Sequence, residues 1–410
     1  MDSPQPLCRP YADILVPYYV LSVSFGLYNR HIPQGHNVKT YKFKLYQHKR
    51  NRHLHRTINA AGHVYNHCIA LHKRYYSLFG KHLNKNKLMK HIAQLRHKNE
   101  YWQLVGSQAV QNIVQRIDRA YQLFFKHHQR GVRPPNFRKR IKYKSFTLKQ
   151  AGYKFLDSNR LRIGKRIFKF WKSREIEGKI KTVTIKRNPL GELFVFVVTD
   201  CADQISAIMT GKSAGFDFGL KVFLSCSDST EVKSPFFLKQ SLKQLASASR
   251  KHSHKKRGSN SKEKARQNLV RVHEKVVNRR ADWFWKLAHQ LTDKLDYLFF
   301  ETLNLKGMQR LWGRKIGDLA LAQFLKILEF VAEKKGKIVS YIDRWYPSTK
   351  TCSECYFVID KLGLNERYWV CPSCSTKHGR DSNASQVILR VGASTLRVGN
   401  VSLSQTAISA

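Results

Sequence analysis

The sequence predicts an α/β chain joined to a small antiparallel sheet or barrel, and three observations carry that expectation. Residues 154–200 contain four short runs of strand-forming side chains, RLRIG, RIFKFWK, IKTVTIKR and ELFVFVV, separated by turn signals such as Asn188-Pro189 and Gly191. Residues 52–79 and 107–128 have helical spacing; in the second, Val110, Ile113, Ile117, Tyr121 and Phe124 recur every three or four positions. Further on, the apolar strands Phe216–Phe218 and Tyr297–Phe300 flank a long helical face through Leu269, Val272, Val276, Trp283, Leu287 and Leu291. The order fits an antiparallel sheet or barrel with helices inserted after its first strand, TYKFKLYQH from Thr40, followed by an α/β unit.

Charge narrows the function classes. The 410 residues carry 75 Lys plus Arg against 27 Asp plus Glu, a formal charge of +48. Such an excess repels itself in the folded state unless a polyanion accompanies it. Residues 1–150 hold only four acids, Asp2, Asp13, Glu100 and Asp118. Nucleic acid is the expected partner, bound with steep salt dependence.

Two basic runs are the expected contacts. After Gly131, Pro134 and Pro135 break the second helix, Arg133, Arg138, Lys139, Arg140, Lys142, Lys144 and Lys149 interleave with Phe137, Tyr143 and Phe146. Basic and aromatic side chains together suit a groove that tracks a backbone and stacks bases; a solvated strand-and-turn surface is the plainer alternative. The second run, with Arg250, Lys255, Lys256 and Arg257, precedes a break at Gly258–Ser261 and suggests a helix hairpin with a basic tip. Residues 11–28 are apolar but short for a span, interrupted by Asp13 and Pro17, and lack a basic leader. No membrane role is expected, residues 1–38 have no assigned role, and 396–410 read as a loose tail.

Four of eight cysteines form two pairs, Cys352/Cys355 and Cys371/Cys374, fifteen residues apart. That spacing predicts a zinc ribbon with four thiolates on one Zn²⁺, in a reducing compartment. His378 is the alternative ligand. Asp381, seven residues after Cys374, is then unexplained by zinc. A helix N-cap is its plain reading. Asp217, inside an apolar strand between Gly215 and Gly219, and Glu301, at the end of another, offer a sharper one. Three acids at strand ends and a helix start can converge on hard divalent cations, which alone make such a cluster tolerable.

The segments GFDFGLK, FFETLNLKGM, RWYPSTKTCSEC and CPSCSTKHGRDSNAS resemble the signature segments of the TnpB family, transposon-encoded RNA-guided nucleases related to compact type V CRISPR effectors. The resemblance extends to SQAVQNIVQRIDRAYQLFF and to SNSKEKARQNLVRVHEKVVNRRADWFWKLAH, and covers about residues 40–395. It implies a RuvC nuclease domain of RNase H-like fold over 206–343 and 376–395, interrupted by the ribbon at 344–375. It also implies a wedge-type β-barrel over 39–51 and 131–205 carrying a helical recognition insert at 52–130. Asp217 matches an aspartate shared by two Mg²⁺ ions, and Glu301 and Asp381 match the acids that complete their shells. The implied partners are a guide RNA from a transposon end and double-stranded target DNA bearing a short flanking motif, with one protein copy per RNA and a nucleoid-associated, cytoplasmic setting. A guided repressor without catalysis and an unguided nuclease are the alternatives. Two departures concern the ribbon: Tyr356 and Ser375 stand where the family commonly has glycine after each Cys pair. Others fall near Asp381, where Gly379 precedes Arg380 and Ser385 follows Asn383-Ala384.

Overall fold

The computed structural model describes residues 37–396 apart from 158, 202–208 and 364. The readings made for residues 1–36 and for the tail beyond 396 lie outside the described residues. The chain enters through β1 (Asn37–Lys44), whose alternation turns Tyr41 and Phe43 inward. It passes at once into α1 (Asn51–Phe79), which stops at Gly80 in the left-handed conformation. Then come α2 (Lys85–Lys98), α3 (Glu100–Gln103) and α4 (Ser107–His127), the last burying the predicted Val110, Ile113 and Ile117. Asn84 and Asn99 start α2 and α3 by accepting backbone N–H bonds, as N-caps do. The two long helices stand where their spacing put them, while α2 lay in an unread stretch.

The strands that follow are β2 (Ser145–Leu148), β3 (Tyr153–Asp157), β4 (Arg160–Ile163), β5 (Arg166–Lys169), β6 (Lys179–Arg187) and β7 (Leu193–Cys201). They form no closed barrel among the described residues. One antiparallel sheet has the order β1-β7-β6-β2, and β3-β4-β5 make a separate one. The two touch at the end of β1, through the bridge Leu45–Phe170 and a Trp171 N–H to Lys44 C=O bond of 2.8 Å. The insert explains the open form. Leu54, Ile58 and Val64 of α1 and Val114 of α4 share one core with Phe146, Val183, Ile185 and Val195 of the sheet. Helices thus cover the apolar face that a barrel would bury by curling onto itself. Contact is close, since a Cβ on Gly62 would meet the Tyr143 side chain at 3.1 Å.

The second half is built on β8 (Ser213–Asp217), β9 (Val222–Cys226) and β10 (Glu231–Lys233), an antiparallel meander. A helical hairpin follows, α5 (Phe237–Ser253) and α6 (Asn260–Lys294), turning at the expected basic tip. Next are β11 (Tyr297–Glu301), α7 (Leu305–Leu319), α8 (Leu321–Lys334) and β12 (Ile338–Ile342). β11 and β12 run parallel to β8, giving the order β10-β9-β8-β11-β12. A hairpin of β13 (Tyr368–Val370) and β14 (Lys377–Gly379) belongs to the cysteine-rich segment and leads directly into α9 (Arg380–Thr395).

Both faces of the five-stranded sheet are covered. Phe216 and Phe300, stacked at 5.0 Å, join Phe284 of α6 and Phe324 of α8 on one side. Each such side chain contributes roughly 1.5–3 kcal/mol by burial. Phe299 and Ile342 meet Ile388 of α9 on the other side.

Candidate active site and metal centre

Strand alternation decides where two of the acids point. Asp217 shares its face of β8 with Gly215, and Glu301 shares its face of β11 with Phe299, which packs toward α9. Phe216 and Phe300 are register partners on parallel strands, so the next residues, Asp217 and Glu301, end neighbouring strands side by side. Helix α9 lies directly on this face because glycines permit it. A Cβ on Gly215 would come within 2.2 Å of the Ser385 carbonyl, and one on Gly392 within 2.3 Å of the Phe299 ring. That seating brings the first turn of α9, and Asp381 with it, to the same sheet end. Asp381 is not the N-cap of α9; Gly379 holds that position and contributes no side-chain cap.

The electrostatics bear the signature of crowded negative charge. Burial first, then the charges of Glu301 and Asp381, push the Asp217 carboxyl up to about 7, against the pull of the Phe218 N–H and the Arg380 guanidinium. Burial also raises Glu301, partly offset by a hydrogen bond from Ser348. Asp381 is held differently: Arg367 of the ribbon places its Nη1 3.1 Å from Oδ2 and 3.4 Å from Oδ1. A buried carboxyl facing the charge of two others, one of them paired with an arginine, makes a donor set suited to a hard cation.

The cysteines are prepared in another way. All four Sγ atoms lie within 4.8 Å of one another, with Cys352–Cys374 at 3.6 Å and Cys355–Cys371 at 3.5 Å. Sulfurs bound tetrahedrally at about 2.3 Å from a common zinc would stand about 3.8 Å apart. The cluster can therefore hold a zinc ion. Among the described residues no other group of His, Cys, Asp or Glu ligand atoms is gathered as tightly. His378, the alternative ligand, instead puts Nε2 3.0 Å from the Cys352 sulfur, beside the cluster, with its ring against Trp369 at 4.7 Å. Both Cys turns close with N–H bonds back to the first cysteine, Tyr356 to Cys352 C=O at 3.1 Å and Ser375 to Cys371 C=O at 2.9 Å. Tyr356 and Ser375 take φ of 62° and 57°, the left-handed region that costs a side-chain-bearing residue about 1–2 kcal/mol.

One residue ties the two sites together, and its role was not read from the sequence. Asn383, buried in α9, accepts the Ser353 N–H at 2.9 Å and donates to the Thr351 C=O at 2.7 Å. It clamps the first Cys turn to the helix that carries Asp381 two residues earlier. The only signal available was the Arg-Asp-Ser-Asn run itself.

The basic runs divide on inspection. Arg133, Lys139, Arg140 and Lys142 are exposed, as are Arg250, Lys255, Lys256 and Arg257 at the hairpin tip. Arg138 and Lys144 are half-buried, the former lying over the Tyr65 ring at 5.4 Å. The expected stacking surface is largely absent, because Tyr143 and Phe146 are core residues at 4% and 2% exposure. Phe137, at 51%, remains outside with Lys73 over its ring at 4.6 Å.

Two family models match separate stretches of the chain. The family model OrfB_IS605, described as a probable transposase, matches residues 197–311, which include Asp217 and Glu301. A second model, the TNB domain of Cas12f1-like proteins, matches 322–388, which include the four cysteines and Asp381. A Streptomyces pristinaespiralis protein named "Putative RNA-guided DNA endonuclease" is 33% identical over 222 residues, 53% of this chain and 54% of its own. The mimivirus "TnpB-like protein L79" is 28% identical over 233 residues, 52% of this chain and 43% of its own. The resemblance to TnpB proteins read from the sequence is thus shared by both family models and by relatives of that name. The chain spans about half the length of these curated relatives. In fold, the chain is similar to Cas12f1 as seen in its complex with guide RNA and target DNA, with a TM-score of 0.54 and 14% identity over 83% of each chain. No helix among its described residues is long and apolar enough to cross a membrane.

Proposed function

We propose that the chain is an RNA-guided DNA endonuclease that hydrolyses phosphodiesters at the Asp217, Glu301 and Asp381 site. The observation that carries this reading is the convergence of the three acids at one sheet end, where Asp217 responds to the charge of both others. The names of its relatives favour a guided DNA nuclease, and the sheet order with three parallel strands suits an RNase H-like, RuvC-type domain over 206–343 and 376–395. On the same reading, residues 39–51 and 131–205 form the wedge, 52–130 the recognition insert and 344–375 the zinc ribbon.

Asp217, Glu301 and Asp381 would hold two magnesium ions, which supply charge neutralisation and Lewis acidity for attack on phosphorus. The protein's part is to keep these oxygens together. β8 and β11 fix Asp217 and Glu301 by register, and α9 delivers Asp381 through its close seat on Gly215. Arg367 neutralises Asp381 and must give up one carboxylate oxygen when a cation takes it. Zn²⁺ on the four thiolates holds the ribbon, and Asn383 carries that rigidity into α9. Arg133, Arg138, Lys139, Arg140, Lys142, Lys144, Arg250, Lys255, Lys256 and Arg257 are the proposed phosphate contacts, through which the +48 charge would be met by RNA and DNA.

The test is to express the chain with its native flanking DNA, sequence the RNA that co-purifies, and assay cleavage with and without it. One dominant RNA with a constant scaffold, and cleavage only of DNA matching its variable end, is the expected result. Cleavage that persists after RNA removal would replace guidance with an unguided nuclease.

A further inference from the structure

A cavity of about 200 Å³ opens where the end of β1, the start of α1 and the β6–β7 turn meet. One water needs only about 10–15 Å³ on this scale, while drug-sized pockets run to roughly 300–1,000 Å³. The space suits a single planar ring system. Leu45 and Leu193 give it apolar walls, and His48, Asn51, His55 and Glu192 give it polar edges.

The polar edges are pre-set by bonds behind them. Glu192 takes Lys44 Nζ on Oε1 at 2.5 Å and Asn188 Nδ2 on Oε2 at 2.8 Å, while its own N–H donates to Asn188 Oδ1 at 2.8 Å. Its two oxygens keep lone pairs for a further pair of donors. His48 Nδ1 accepts the Arg50 N–H at 3.0 Å, which leaves Nε2–H as the free donor of the neutral ring. His55 Nδ1 lies 3.4 Å from Arg187 Nη1, and a guanidinium can only donate, so His55 also offers Nε2–H. Burial and Arg187 hold His55 below its usual range, in the neutral form this requires. Asn51 spends its amide N–H on the Tyr46 C=O at 2.8 Å and keeps its oxygen as an acceptor.

The cavity thus pairs a locked carboxylate with two imidazole donors between aliphatic walls. Lys44, Lys49, Arg50, Arg52 and Arg187 border it in sequence, and Glu192 is the one acid in its lining. A ring that arrives on a polyanion, offers two adjacent donors and also carries acceptors meets all of these demands. Guanine does so, with N1–H and N2–H₂ on one edge and O6 and N7 as acceptors. We propose that this cavity receives one unpaired guanine of the bound RNA, and this rests on the reading of RNA as the partner. An unpaired base enters such a cavity at small cost, because it is already out of a helix stack.

The test uses the full chain freed of RNA, in about 0.5 M NaCl, where contacts to phosphate alone are weak. Binding of rUUGUU, rUUUUU and GMP is measured by competition against a labelled oligomer. The expected result is roughly tenfold tighter binding of rUUGUU than of rUUUUU. Glu192→Gln abolishes that preference, as does Gln47→Trp, which fills the cavity from its rim; an unchanged melting temperature certifies each variant as folded. Equal binding of the two oligomers by the wild type overturns the proposal. Tighter binding of GMP than of rUUGUU also overturns it, by assigning the cavity to a free nucleotide. Failure of RNA to co-purify in the earlier experiment would sink the guided reading and this inference with it, whereas equal oligomer binding by a chain that does carry RNA sinks only this inference.

Discussion

The thiol cluster and the carboxylate cluster sit at opposite ends of one short connection, β14 into α9, and they are organised by opposite means. The thiols are drawn together, at 3.5 and 3.6 Å in two pairs, by turns whose backbone bonds close on Cys352 and Cys371. The carboxylates are held together by strand register and a glycine seat, and burial first, then the charges of Glu301 and Asp381, push Asp217 up to about 7. The difference separates two uses of a metal. On the proposed reading, the cluster that completes a small ribbon would be part of the fold, while the cluster that costs stability until a cation arrives would be kept for chemistry.

Breaking the thiol cluster should have the largest effect. Structural zinc in small modules is worth roughly 10–16 kcal/mol of binding free energy. Cys371→Ser should therefore unfold the ribbon, seen as loss of bound zinc and of protease resistance over 344–379, and should also abolish cleavage because Arg367 and Asn383 lose their places. Retained zinc and normal cleavage would show that the cluster is dispensable.

Relieving the carboxylate cluster should do the reverse to stability. Asp217 has a folded value of about 7 against an ordinary 3.8, so below pH 4 both states keep the proton and nothing is lost. As pH rises from about 4 to 7 the unfolded chain releases that proton first, and the magnesium-free fold weakens. Asp217→Asn should stabilise the magnesium-free protein at pH 8 by up to about 4 kcal/mol, and not at all near pH 4. Magnesium should raise the melting temperature of the wild type and leave that of the variant unmoved. A uniform shift at both pH values would mean that the crowding is not electrostatic.

Cutting the tie between the sites comes next. Asn383→Ala leaves a buried N–H of Ser353 and a C=O of Thr351 unpaired, at a cost of about 1–3 kcal/mol. Cleavage should fall well beyond what the loss of stability explains, with zinc still bound. The smallest effect tests the ribbon's departures. Tyr356→Gly and Ser375→Gly should each stabilise the ribbon by about 1 kcal/mol, read from zinc retention against a chelator, because glycine adopts the left-handed conformation freely.

Much of this arrangement was legible in the sequence because it is local. Cys spacing, the apolar runs before Asp217 and Glu301, and the helical spacing of 107–128 are properties of a few consecutive residues. What escaped depends on who packs against whom. The barrel expected over 39–51 and 131–205 is an open sheet, since α1 and α4 cover the face that closure would have buried. Tyr143 and Phe146 looked like stacking aromatics beside lysines, yet the pleat turns both into the core. The plain reading of Asp381 as an N-cap fails because α9 starts two residues earlier than that reading needs. Asn383 and Arg367 act across the ribbon boundary, which no pattern along the chain records.

The most direct test of the central claim compares the wild type with Asp217→Ala, Glu301→Ala and Asp381→Ala, each loaded with the co-purified RNA and given matching DNA and magnesium. The account predicts that all three variants bind RNA and DNA like the wild type and that none cuts. Cleavage at the wild-type rate by any one of them would remove that acid from the site and contradict the assignment.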